Sequence, residues 1–275
     1  MKKICRFGSL LIALLVVSGC TNLSAVRQYS ETANGSLSMV PDVVDDFTKS
    51  CKRRAHFQPS GSKPNCEKIK ESSEPLTEVV SVLQKYTQSL GKLASDEVVT
   101  YTENLDSLEK EINSLEKFDK EKISAVTSIA KYLSKLATDV YRRDKVKDAI
   151  QENNQHIKVV TSVLADIIKN DYKSLLETEG EAVGKYYKEI KTQHSVNEPL
   201  AVKLAMKEKD VHMEAVDAKS KAIAPLTELI KKIGTEHDKL NSKSGELDSK
   251  EVIELVKSYV DEAKPILKQV KQAYK

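Results

Sequence analysis

Apolar residues recur every three or four positions along most of the chain. Four segments carry such a series, namely 105–115, 123–140, 157–167 and 252–270. This spacing places apolar side chains on one face of an α-helix, and it is typical of helices that pack side by side at about 20°. No segment alternates apolar and polar residues for long enough to predict a strand. The pattern therefore predicts an all-α protein with coiled-coil-like seams.

Proline and glycine mark the predicted ends of the helices. No proline occurs between Pro75 and Pro199, which predicts long uninterrupted helices in that part of the chain. Pro75 either kinks a helix that begins near residue 67 or marks its start, and Ser95 to Glu97 either cap a new helix or belong to a continuing one. Further helices are predicted at 41–57, at 144–192, at 199–240 with a bend at Pro225, and at 248–275. Another begins at Asp119, or else the bend falls near Asn113-Ser114. Short connections predict an elongated antiparallel bundle.

The first twenty residues have the layout of a secretory signal peptide. The basic residues Lys2, Lys3 and Arg6 precede an apolar run at 10–17, and small residues follow the run. A run of this length is too short to span a membrane, since a spanning helix needs about 20 residues. An uncleaved N-terminal anchor is the alternative interpretation.

The signal ends on Val17-Ser18-Gly19-Cys20, which resembles the lipobox of bacterial lipoproteins. The resemblance implies that residues 1–19 are removed and that Cys20 carries the lipid, an acyl anchor such as palmitate. Two or more acyl chains hold a protein stably at a membrane. Because Thr21 rather than Asp follows the cysteine, the resemblance also implies the outer membrane, with the protein facing the periplasm or the cell surface. It covers the signal and nothing beyond it.

The remaining cysteines fit an exported protein. Cys51 and Cys66 form an even pair around fourteen residues that contain Pro59, Gly61 and Pro64. We predict a disulfide that closes a loop between two helices, because exported proteins meet an oxidising compartment. Two free thiols or a metal pair are the alternatives. The predicted organisation is a signal peptide at 1–19, a lipidated tether with a short helix and the disulfide loop at 20–65, and a helical bundle at 66–275.

The charge balance bears on possible partners. The chain has 44 basic and 41 acidic residues, and it becomes neutral once the three basic residues of the signal are removed. A nucleic-acid partner is not expected, because nucleic-acid-binding proteins carry a strong basic excess. The one dense basic run is Lys52-Arg53-Arg54. It either solvates the loop or contacts an anionic surface such as lipid headgroups.

Catalytic patterns are missing from the sequence. None of the five histidines follows a Glu at the spacing that helical di-metal sites use, and common nucleophile and phosphate-binding motifs are absent. Two acid–histidine pairs, Glu152 with His156 and Glu208 with His212, are interpreted as surface pairs. We expect no enzyme, no catalytic residue, no metal and no cofactor.

A stripe of small residues occurs near the C-terminal third, made of Ala201, Ala205, Ala215, Ala218 and Ala222. It predicts two helices in close contact in the core, or else the wall of a narrow cavity for an apolar ligand. Taken together, the sequence predicts a membrane-anchored helical module that binds a protein partner or another copy of itself. The alternative is a helical module for an apolar or lipid-like ligand.

Overall fold

The computed structural model describes residues 23–102, 104–137 and 145–274. In this part of the chain every regular element is helical, which confirms the all-α prediction. The α-helices are α1 (Ser24–Leu37), α2 (Val40–His56), α3 (Cys66–Ser73), α4 (Pro75–Ala94), α5 (Leu105–Ile112), α6 (Lys120–Ala137), α7 (Lys145–Ile167), α8 (Lys173–His194), α9 (Pro199–Ser242) and α10 (Lys250–Ala273). A short 3₁₀-helix (Ser60–Ser62) lies in the loop after α2, and a π-helical turn (Ile168–Tyr172) joins α7 to α8.

Backbone conformation and local hydrogen bonds define several helix ends that the sequence left open. Pro75 is the first residue of α4, where no N–H bond is needed, and Glu74 before it keeps a helical backbone, so a single residue separates α3 from α4. Ser95 to Glu97 neither begin a new helix nor continue α4, and their backbone N–H groups cap the C-terminal end of α4. Asp96 takes a left-handed conformation with φ of 61°, and this ends α4. The side chain of Ser249 accepts a hydrogen bond from the backbone N–H of Val252 and caps α10, which begins two residues after the predicted start at 248.

The disulfide between Cys51 and Cys66 is present, with the two Cα atoms 5.6 Å apart. It joins the last turns of α2 to the first residue of α3 and closes the predicted loop. A closed loop of this length stabilises a fold by roughly 3 kcal/mol, mainly by restricting the unfolded chain.

The predicted tether is wrong for residues 24–37. These residues form α1, which packs against α4, α9 and α10 in the main core. The reason is an apolar series at helical steps of three and four residues, made of Val26, Tyr29, Ala33 and Leu37. Helix α2 belongs to the same core, so the described residues before 66 are part of the bundle and not a separate segment.

Helices α7 and α9 share the most extensive helix–helix contact in the described residues. At its centre lies Gly234, where a Cβ atom would stand 2.5 Å from Oγ1 of Thr161 and 3.3 Å from the backbone Cα of Lys158. The close approach therefore depends on a glycine. The alanine stripe does not provide it, because Ala201, Ala215 and Ala218 are exposed and only Ala222 of that stripe is buried.

Replacing Gly234 with alanine is expected to lower the free energy of unfolding by about 1–3 kcal/mol, because the added methyl group would force α7 away from α9. Gly184 is the matched control, since it lies inside α8 and a Cβ atom added there would meet no other atom within 4 Å. There alanine should stabilise by about 0.5–1 kcal/mol through helix propensity alone. Urea unfolding measures both. Stabilisation at both positions would contradict the close packing at Gly234.

The far ends of α8 and α9 leave the main core. Leu176 is the last residue of α8 in the main hydrophobic cluster, and Val216 is the first residue of α9 in it. We call residues 177–215 the arm. A second, small hydrophobic cluster lies there, in which Phe57 at the end of α2 packs against Ala182, Val183 and Tyr187 of the arm. No helix among the described residues is both long enough and apolar enough to cross a membrane.

Candidate functional site

A buried ionic cluster lies where the arm joins the body. Arg53 donates two hydrogen bonds of 2.9 Å to the two carboxylate oxygens of Asp46, and its Nε donates to Oε1 of Glu179 at 2.6 Å. Lys219 of α9 donates to Oδ1 of Asp46 at 2.7 Å. The cluster thus contains two carboxylates and two cations, and it links α2 to both helices of the arm.

Neutral side chains complete the cluster. Tyr172, in the π-helical turn, donates its hydroxyl to Oδ2 of Asp46 at 2.7 Å, and Ser50 donates to Oε2 of Glu179 at 2.6 Å. Burial alone would raise the pKa of Asp46, but hydrogen bonds from Arg53, Lys219 and Tyr172 outweigh it and hold that pKa below its usual value. The group therefore acts as a charged brace for the arm.

The basic run does not form the surface patch that the sequence suggested. Arg53 is directed inward and both sides of its guanidinium are bound to carboxylates. Arg54 is half-buried and its Nη1 donates to the hydroxyl of Thr178 at 3.4 Å. Only Lys52 is exposed. An anionic-surface contact through all three residues is thus wrong, because one charge neutralises buried acids and a second packs against the arm.

Large apolar side chains are exposed at the arm. The described part of the chain has six large hydrophobic side chains that stay exposed, and five of them lie in the arm: Tyr186, Val196, Leu200, Leu204 and Val211. Leu200, Leu204 and Val211 are 71%, 63% and 61% exposed. Each would gain about 1.5–3 kcal/mol from full burial, so three together are costly to leave in water.

The three residues on α9 lie along one side of the helix, with the exposed Lys207 between Leu204 and Val211. At 3.6 residues per turn, steps of four and seven residues return to within about 40° of the same direction. The exposed Ala215 and Ala218 continue that side toward the body. We call Leu200, Leu204, Val211, Ala215 and Ala218 the α9 stripe. Because large exposed apolar patches mark interaction sites in many domains, this side of α9 is a candidate for one.

The sequence of α9 does indicate this stripe, but only if the helix is examined for two apolar faces and not for one. The opposite face of α9 packs against α8 through Val202 and Val216, with Met206 and Met213 partly buried beside them. The first half of α9 therefore has two apolar faces, and one helix partner can cover only one of them.

His237 lies in the main core and was not distinguished from the other histidines by sequence. Its Nδ1 lies 3.0 Å from Oδ1 of Asn154, and its Nε2 lies 2.7 Å from the hydroxyl of Tyr86, which donates to the backbone carbonyl of Ala149. The amide of Asn154 donates in turn to Asp238, which fixes its orientation. Burial lowers the pKa of His237 to about 3, because the charged imidazolium is disfavoured there. His237 is thus a neutral structural histidine.

The free energy of unfolding is expected to fall by about 2 kcal/mol between pH 7 and pH 5. An unfolded histidine has a pKa near 6.5, so below that value the unfolded chain binds a proton that folded His237 does not. The stabilisation is complete above about pH 6.5 and is lost progressively as the pH falls toward 3. Guanidinium unfolding at pH 7, 6 and 5 measures it. His237→Gln should flatten the dependence, whereas His194→Gln, at an exposed position, should keep it; equal slopes in both variants would contradict the assignment.

The four residues of the predicted surface pairs lie at or near the surface, with Glu152 and Glu208 exposed and His156 and His212 half-buried, but Glu208 hydrogen-bonds to Tyr187 and not to His212. His212 packs edge-on against the ring of Phe57 in the arm cluster, with ring centroids 5.1 Å apart. Within the described residues, no group of three or more His, Cys, Asp or Glu side chains is placed to hold a metal ion.

A separate cleft of about 360 Å³ opens between α2, α3, α4 and the junction of α7 and α8. Half of its lining is apolar, namely Phe47, Ile69, Leu76, Leu115, Ile167 and Leu175, and the other half is polar or charged. The polar half includes the ion pair between Lys117 and Asp171, which is 2.7 Å long. A mixed lining of this kind suits a ligand with an apolar part and a polar part.

The predicted lipid site, Cys20, lies outside the described residues. The other residues that the sequence singled out do not form one site. Cys51 and Cys66 close the loop, Arg53 braces the arm and Lys52 faces solvent. Comparison of the chain with known protein families, with curated proteins and with solved structures found no match.

Proposed function

We propose that this protein is a lipid-anchored, non-catalytic helical module of a bacterial cell envelope, and that it binds a protein partner through the arm. The observation that carries the proposal is the α9 stripe, in which Leu200, Leu204 and Val211 are each more than half exposed along one line. Such a line offers the spaced apolar anchors that a helix or a groove on a partner recognises.

The brace at the base supports this role. A docking element transmits its position to the body only if its attachment is stiff, and the arm is attached by Arg53 to Glu179 and by Lys219 to Asp46. The buried charged groups of this cluster hold one another through short hydrogen bonds. They are used to fix the arm in place, which favours a structural function over a catalytic one.

The membrane anchor rests on the lipobox resemblance at Cys20, and the disulfide between Cys51 and Cys66 is consistent with export. Replacing Cys20 with alanine is therefore expected to leave an uncleaved precursor of higher mass that incorporates no labelled palmitate. Gel mobility and metabolic labelling measure the two effects. Equal labelling of the mutant and the wild type would contradict lipidation at Cys20.

Photo-crosslinking in intact cells tests the arm as the binding surface. A photoreactive phenylalanine analogue placed at Leu204 of the full chain is expected to trap a protein adduct. The matched control is Val98, which is 53% exposed and lies outside the arm. An adduct at Leu204 and none at Val98 supports the proposal. Absence of adducts at Leu200, Leu204 and Val211 alike would overturn it.

A second function, binding of an apolar or lipid-like ligand, is favoured by the cleft at Phe47 and Leu76. Native mass spectrometry of the full chain after mild detergent extraction would detect a lipid-sized mass on it. Leu175→Trp should remove that mass by filling the cleft, because Leu175 is half-buried in its wall. A bound mass that survives the substitution would exclude this cleft as its site.

A further inference from the structure

The α9 stripe is bordered by charges that are separated by sign along the helix. Lys203 and Lys207 lie beside its first half, and Asp210 and Glu214 lie beside its second half. All four side chains are exposed, and in the part of the chain that the structure describes none of them forms an ion pair. Their charges are available to another molecule.

The four charged residues share one side of the stripe. At about 100° per residue they fall within roughly 60° of one another around α9, next to the line through Leu200, Leu204 and Val211. The surface therefore has an apolar line with a charged border that runs from basic to acidic over about 16 Å. Such a border is complementary to an identical border that runs in the opposite direction.

We propose that the partner of the α9 stripe is a second copy of this chain, docked antiparallel about a two-fold axis near residues 208–209. The inference rests on the proposed function of the arm and names its partner. In a two-fold interface each contact occurs twice, so Lys203 of one copy meets Glu214 of the other, and Lys207 meets Asp210. Leu200 of one copy then packs near Ala218 of the other.

The orientation follows from the charge order. In an antiparallel pair the same border of both helices lies face to face, with the basic half against the acidic half. In a parallel pair Lys203 stays level with its own equivalent, and Glu214 of the other copy lies about 16 Å further along the axis. Only the antiparallel arrangement pairs all four charges.

Charge exchange tests the proposal on the full chain in mild detergent, with sedimentation equilibrium as the measurement. The wild type is expected to form a dimer. An acidic variant (Lys203→Glu with Lys207→Glu) and a basic variant (Asp210→Lys with Glu214→Lys) should each self-associate at least about tenfold more weakly, since like charges then oppose each other. An equimolar mixture of the two should restore the dimer, and so should the variant with all four changes. Because all four positions are exposed, their folding is checked by circular dichroism.

Cysteine crosslinking in membranes decides the orientation. Two differently tagged full-length copies are expressed together, one with Lys203→Cys and the other with Glu214→Cys. A disulfide between positions 203 and 214, with little between 203 and 203, is the expected result. Strong 203–203 bonding would overturn the antiparallel arrangement. A monomeric wild type without crosslinks would overturn self-association, while a photo-adduct of different mass at Leu204 would still support the arm as a binding surface.

Discussion

Replacing Arg53 with alanine is expected to lower the free energy of unfolding by about 3–5 kcal/mol, which would be a large part of the stability of a typical domain. The side chain satisfies Asp46 and Glu179 at once, and these carboxylates are only 5% and 1% exposed. Without Arg53, the carboxylate of Glu179 loses the cation that neutralises it and retains only the hydrogen bond from the hydroxyl of Ser50. A buried negative charge is then left without a compensating positive charge. Denaturant unfolding at pH 7 measures the change.

The matched control is Lys52→Ala, one position earlier on the exposed side of α2, which should change stability by no more than about 0.5 kcal/mol. A quadruple variant, Asp46→Asn with Arg53→Met, Glu179→Gln and Lys219→Met, should recover much of the loss, because it removes all four charges of the cluster together. If Arg53→Ala were as mild as Lys52→Ala, the cluster could not be the brace of the arm.

Leu133→Ala and Leu164→Ala are each expected to cost about 2–5 kcal/mol of unfolding free energy. Leu133 of α6 and Leu164 of α7 are completely buried in the main core, so each substitution removes apolar contacts and leaves a cavity. Thermal and urea unfolding measure the effects.

Lys110→Ala and Glu189→Ala serve as controls because both side chains are exposed on helix surfaces, and each should change stability by about 0.5 kcal/mol or less. Small effects of similar size from all four substitutions would contradict the apolar seams on which the bundle depends. A large effect at the two leucines alone is the pattern expected of a packed helical core.

Much of the fold could be predicted because it is encoded locally. The three- and four-residue steps of apolar positions indicate the helices, and that spacing alone predicts Leu133 and Leu164 as core positions. The pairing of Cys51 with Cys66 follows from their number and from the breakers between them. The end of α8 near His194 follows from the turn residues that precede Pro199.

Other features could not be predicted because the deciding partner is distant in sequence. Arg53 lies in a basic run that is typical of a solvated surface, and it becomes internal only because Glu179, 126 residues away, packs against it. His237 depends in the same way on Tyr86 and Asn154. The alanine stripe predicts a close helix contact at the wrong place, since the structure has the close contact of α7 with α9 at Gly234.

The sequence by itself determined that this chain is helical, where α2, α9 and α10 begin and end, and which leucines are buried, because periodicity and breaker residues act over a few neighbouring positions. The tertiary structure alone decided which face of each helix is covered. Helix α1 joined the core because its apolar face met α4 and α10, while the α9 stripe stayed exposed because α8 covers only the opposite face of that helix. Burial depends on partners brought together by folding, and a local pattern does not contain them.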